Sequence, residues 1–138
     1  MNKFICFTLF LLIFSGISSA QDYYWVGGTG EWSDYANHWA TSSGGNIFHT
    51  QVPQSADNVI FDENSFTGEG QIVTLDIQSA YCKDMTWTGA GFRPVLAGTN
   101  CSLKIYGSLT LVEEMDLSYT GGFSFESIET GNTITWSG

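Results

Sequence analysis

Apolar residues in the second half of this chain return at a step of 20 positions. Met85, Ile105 and Phe125 form one series, Leu75, Val95 and Met115 a second, and Ile77, Ala97 and Leu117 echo the second. Two short apolar strands therefore recur in each period. Within them Val73, Leu75 and Ile77 alternate with Thr74 and Asp76, Leu103 and Ile105 with Ser102 and Lys104, and Leu109 and Leu111 with Ser108 and Thr110. Such alternation buries one face of a strand and wets the other. Short strands at this interval, separated by Gly- and Asn-rich corners, predict an all-β fold: a right-handed parallel β-helix (solenoid) whose rungs pair with their neighbours and stack inward residues into one core. A β-sandwich, with a strand about every 8–12 residues, is the alternative. The register has one blemish, because Leu103 and Phe123 align with the charged Lys83 one period earlier.

The expected strands are Asn58 to Asp62, Ile72 to Ile77, Asp84 to Thr88, Pro94 to Ala97, Ser102 to Tyr106, Ser108 to Val112, Met115 to Tyr119, Gly122 to Phe125 and Thr133 to Trp136. No window sustains the i, i+3, i+4, i+7 apolar spacing of a helix. The chain divides into an export signal over 1–20, a Trp- and Gly-rich cap region over 21–69, and solenoid rungs over 70–138 that are cut short at the C-terminus. In the signal, Lys3 supplies positive charge, Phe4 to Phe14 an 11-residue, mostly apolar run, and Ser18-Ser19-Ala20 the small residues of a cleavage site. That run is well short of the roughly 20 residues needed to cross a bilayer, so no membrane insertion is expected after cleavage. A secreted or cell-surface location follows.

Removal of the signal takes Cys6 with it and leaves Cys82 and Cys101, which in an oxidising compartment predict a disulfide. Their separation of 19 residues is close to one period, which places them on adjacent rungs roughly 4.8 Å apart, within the reach of the bond. Two buried free thiols are the other reading. Zinc is not expected, since there is no CxxC and His38 and His49 lie far off in sequence.

Fourteen acids face four bases, for a formal charge of −10. That balance argues against nucleic acid and against anionic membranes, both of which need clustered Lys and Arg. A hydrophobic share of 43% and an aromatic share of 15% exclude a disordered acidic tail.

The run Trp25-Val26-Gly27-Gly28-Thr29-Gly30-Glu31-Trp32-Ser33-Asp34, then Asn37-His38-Trp39, Pro53, and Asp57-Asn58-Val59-Ile60-Phe61-Asp62, resembles the opening module of large secreted repeat proteins of Bacteroidetes. The later Ile72-Val73-Thr74-Leu75-Asp76, Met85-Thr86-Trp87-Thr88-Gly89 and Leu103 to Leu111 are similar to the β-helical strand-loop repeats of those proteins. The resemblance covers Tyr23 to Gly138 and implies export, typically by type IX secretion, in adhesin-like proteins. The chain departs from that pattern by stopping at Trp136-Ser137-Gly138 without a sorting domain.

Trp25, Trp32 and Trp39 admit two readings. As a cap they would cover the open end of the solenoid, which otherwise exposes strand edges and apolar core. As a platform, with Tyr23, Tyr24 and Tyr35, they would stack sugar rings. Gly28-Thr29-Gly30 neither follows a strand nor opens a helix, so it is not a phosphate loop. There is no HExxH and no Gly-x-Ser-x-Gly elbow, and no catalytic residue is assigned. Asp57, Asp62 and Glu63, like Glu113, Glu114 and Asp116, read as solvated acidic surface rather than as an acid–base pair or a calcium site. No cofactor or metal is assigned. Two function classes stay open: a noncatalytic module of an extracellular adhesin or scaffold, and a carbohydrate-binding module or the N-terminal part of a β-helical polysaccharide-active enzyme. The partners these imply are an extracellular glycan, a surface protein, or another molecule joined end to end.

Overall fold

The computed structural model describes residues 19–137, so nearly all of the expected export signal, including Cys6, lies outside the described residues. The chain opens with β1 (Asp22–Trp25) and β2 (Gly30–Glu31), makes one helical turn, α1 (Tyr35–His38), and doubles back in β3 (Trp39–Ala40). Three triplets of strands follow. The first is β4 (Asn58–Ile60), β5 (Ile72–Thr74) and β6 (Ser79–Cys82), and the second is β7 (Met85–Thr86), β8 (Val95–Gly98) and β9 (Ser102–Ile105). The third is β10 (Leu109–Val112), β11 (Asp116–Tyr119) and β12 (Gly122–Phe125), after which β13 (Ile134–Ser137) begins another coil.

Corresponding strands pair in parallel from coil to coil. One sheet runs β3-β1-β4-β7-β10-β13, a second β2-β5-β8-β11 and a third β6-β9-β12. The result is a β-solenoid of about three turns with three sheet faces. A sandwich is excluded, because the ladders that join successive coils are parallel and antiparallel pairing among the described residues is confined to β3, which pairs with β1 and bridges to Phe48. Coiling begins earlier than expected: β1 and β2 already belong to the first and second sheets, and β4 lies inside the region expected to be cap.

The core is a set of inward columns. On the first sheet Tyr23, Val59, Met85 and Leu109 stack, at 0 to 3% exposure. Beside them run Trp25, Phe61 and Trp87, with the Phe61 and Trp87 rings stacked at 3.7 Å. Val73 lies under Leu96 on the second sheet, and Ala80 under Leu103 and Cys82 under Ile105 on the third.

These registers correct the 20-residue period. The step is 23 from Ser79 to Ser102, 24 from Met85 to Leu109 and 26 from Val59 to Met85, and it falls to 20 only between Ser102 and Gly122. Met85 therefore lies on the first sheet, whereas Ile105 and Phe125 lie on the third, so the single column expected of them does not exist. Leu96, not Val95, turns inward on β8. The misfit of Leu103 with Lys83 also disappears, since Leu103 sits on Ala80.

The expected disulfide falls with the period. Cys82 ends β6 opposite Ile105, whereas Cys101 precedes Ser102, which lies opposite Ser79 at the other end of the same strand pair. Four strand residues separate them, about 13 Å, roughly twice the Cα distance a disulfide spans. Both are buried free thiols. Burial, with a smaller contribution from Asp84, pushes the Cys82 thiol up to about 12.

Candidate functional site: the open end of the solenoid

At the N-terminal end, β3 runs antiparallel to β1 and places Trp39 against Trp25. An antiparallel partner occupies the edge that a further parallel coil would need, so the first sheet is closed on that side. Trp25, Trp32 and Trp39 meet edge-to-face, at 4.9 Å between Trp25 and Trp39 and 4.8 Å between Trp32 and Trp39. Two indole N–H groups are used internally: Trp25 Nε1 donates to the Gly28 carbonyl at 2.7 Å and Trp39 Nε1 to the Trp32 carbonyl at 2.9 Å. His38 lies flat on Trp25, with ring centroids 4.6 Å apart, and its Nδ1 is 2.7 Å from the Val26 carbonyl oxygen. Gly30 is required here, because a Cβ at that position would overlap the His38 ring.

All three Trp are 0% exposed. The glycan platform assigned to Trp25, Trp32 and Trp39 is therefore corrected: these rings offer no face to a sugar, because their faces and edges are spent on one another and on His38. Tyr23 is buried too, under the stacked ring of His49 at 3.6 Å. Asp57 and Asp62, expected as solvated surface, are instead buried, because their carboxylates serve the backbone. Asp57 accepts from the backbone N–H groups of Gln21 and Gln54, and Asp62 from that of Asn64. Among the described residues no group of three or more His, Cys, Asp or Glu side chains is placed to hold a metal ion.

The C-terminal end is the opposite case. Leu117 continues the column of Leu96, Phe123 that of Leu103, Phe125 that of Ile105, Ile134 that of Leu109 and Trp136 that of Leu111. One coil earlier these positions are at most 6% exposed, whereas Leu117 is 42%, Phe125 46%, Ile134 65% and Trp136 57% exposed. Inward residues on all three sheets thus lie open, together with the outer edges of β11, β12 and β13. Exposed apolar side chains grouped on one coil, three of them aromatic, mark an interaction surface. Glu113 and Glu114, in the turn between β10 and β11, and Glu126 and Glu129 beyond β12 are exposed acids around this coil. Sequence reasoning found the unpaired last rung but not which residues form it, because that depends on corner lengths.

No family model, curated protein or solved structure matches the chain.

Proposed function

We propose that this chain is a noncatalytic module of a secreted or cell-surface adhesin or scaffold protein, a stiff β-solenoid finished at one end and made to carry further β-structure at the other. The observation that supports this reading most is the contrast between a strand-capped N-terminal end and a C-terminal coil whose inward columns are all uncovered. Extended segments with alternating apolar residues would add to β11, β12 and β13 and continue those columns, with backbone hydrogen bonds supplying affinity and the columns supplying register. The resemblance to exported Bacteroidetes repeat proteins agrees with a surface role. Sedimentation velocity and titration with a hydrophobic fluorescent dye test it on the purified chain. The expected result is association or strong dye binding, abolished together in F125S/W136S with the fold retained. A monomer that binds no dye would overturn it.

A further inference from the structure

The third sheet carries a charge pattern unlike the rest of the molecule. With the export signal set aside, the chain has only Lys83, Arg93 and Lys104 as bases against 14 acids. Arg93 is paired with Asp116 at 3.4 Å. Lys83 and Lys104 form no ion pair among the described residues, and the strand register brings them to one place. Tyr81 lies opposite Lys104 on β6 and β9, and the ammonium of Lys104 is 5.6 Å from the Tyr81 ring centroid. Just past the ends of β6 and β9, Lys83 and Tyr106 line one cleft, with the Tyr106 N–H on the Cys82 carbonyl. Two Tyr and two Lys thus alternate as a square about 5 Å by 7 Å.

Around this square the outward positions of β6 and β9 hold Ser79 and Ser102 and no acid. The carboxylates of Asp57 and Asp84 are held by backbone N–H groups, and that of Glu126 accepts from the Ser124 hydroxyl, bonds that fix their positions and leave their charge in place. Glu126 and Glu129 both line the cleft beside Lys83 and Tyr106 and limit the site on that flank.

We propose that this face of the third sheet, centred on Tyr81, Lys83, Lys104 and Tyr106, is a binding site for an anionic glycan bearing uronate or sulfate groups. Two cations without an ion-pair partner among the described residues of so acidic a chain are the complement of anionic groups on a sugar chain, and screening at physiological salt confines the field of the acids beyond the cleft to about 8 Å. Tyrosine rings and serine and tyrosine hydroxyls suit sugar faces and sugar hydroxyls. β9 is laddered on both sides whereas β6 is the edge strand of its sheet, so an acidic peptide is the competing ligand, and the poly-glutamate arm of the test below separates the two. The four residues lie on the outer face of the third sheet, away from the exposed inward columns, although the far wall of the cleft belongs to the last coil.

Affinity electrophoresis of the purified chain through gels containing polygalacturonate, neutral dextran or poly-glutamate tests this at physiological ionic strength. The expected result is retardation by polygalacturonate and not by dextran. K83Q/K104Q should weaken it roughly tenfold, K83R/K104R should restore it, and F125S/W136S should leave it unchanged. Absence of retardation by polygalacturonate, undiminished binding of K83Q/K104Q, or equal retardation by dextran or poly-glutamate would overturn the assignment.

Discussion

Trp39 and Trp136 stand on the two edge strands of one six-stranded sheet, β3 and β13. Trp39 is fully buried and Trp136 is 57% exposed. The residue type is the same and the sheet is the same, so the difference lies in the chain that covers each edge. At the N-terminal edge, Gly27 and Gly28, at φ of +84° and +72°, turn the chain from β1 into β2, and after Glu31 it leaves the coil path. The chain can then pass through α1 and return antiparallel. At the C-terminal edge β13 follows the parallel path, and none of the described residues folds over it. Aromatic content alone therefore does not make a cap. A reversal of chain direction does, because it both occupies the edge and brings rings over the core.

The sharpest way to break this comparison uses one column of the third sheet. Ile105 is 0% exposed between Cys82 and Phe125, whereas Phe125, next in the same column, is 46% exposed. Ile105→Asp puts an unpaired carboxylate in the core and should unfold the domain, a loss of several kcal/mol on the order of its whole stability. Phe125→Asp should leave a folded protein, because water reaches the new charge. Urea titrations followed by Trp fluorescence check both, and equal loss in the two variants would mean that the open end is covered in solution.

A second comparison returns to the tryptophans. Trp39→Ala removes a ring packed on Trp25, Trp32, Tyr23 and Phe61 and should cost about 3–5 kcal/mol. Trp136→Ala should cost less than about 1 kcal/mol and should reduce association through the open end. Thermal melts of the two variants measure the difference directly.

The cysteines extend the contrast between interior and surface to pH. Both thiols should resist labelling in the native protein and both should react after unfolding, as free buried cysteines do. The Cys82 thiol titrates at about 12 in the fold, above its ordinary value of 9.0. Between those values the unfolded chain has given up a proton that the folded chain keeps. The contribution of Cys82 is therefore fully present below pH 9 and is lost as pH rises toward 12, at up to about 1.4 kcal/mol per pH unit. Cys82→Ala should flatten that slope in alkaline denaturation curves, and an unchanged slope would place the titration elsewhere.

How much of this could be read from the residues follows from what the corners do. Alternation in Leu103–Ile105 and Leu109–Leu111 gave the buried faces correctly, because side-chain direction is a property of a single strand. Stacking partners are a property of two strands and the corner between them. Corners here have unequal lengths, such as 61–71 between β4 and β5 against 87–94 between β7 and β8. A fixed step of 20 therefore joined residues of different sheets, and the disulfide expected from it went wrong for the same reason. β6 was missed altogether, since Ser79-Ala80-Tyr81-Cys82 has small residues where an apolar strand was sought. The burial of Trp25, Trp32 and Trp39 depends on β3 folding back, and no spacing of tryptophans encodes that return. The Tyr81, Lys83, Lys104 and Tyr106 square was likewise hidden: its members are far apart in sequence and meet only at the 23-residue register.

The smallest effect concerns what holds the last complete coil in place. Arg93 reaches Asp116, at the start of β11, at 3.4 Å, but the two side chains are 66% and 57% exposed. An ion pair so open to solvent is screened and contributes little, at most about 0.5 kcal/mol. The backbone ladder between β8 and β11, with Leu117 on Leu96, is intact without it. Arg93→Ala should therefore shift the unfolding midpoint hardly at all, and raising salt should not change the difference between the two proteins. If Arg93→Ala instead cost as much as Trp39→Ala, the open coil would owe its order to charge rather than to strand pairing. The C-terminal end would then be a switchable element and not the regular continuation of the solenoid that its registers describe.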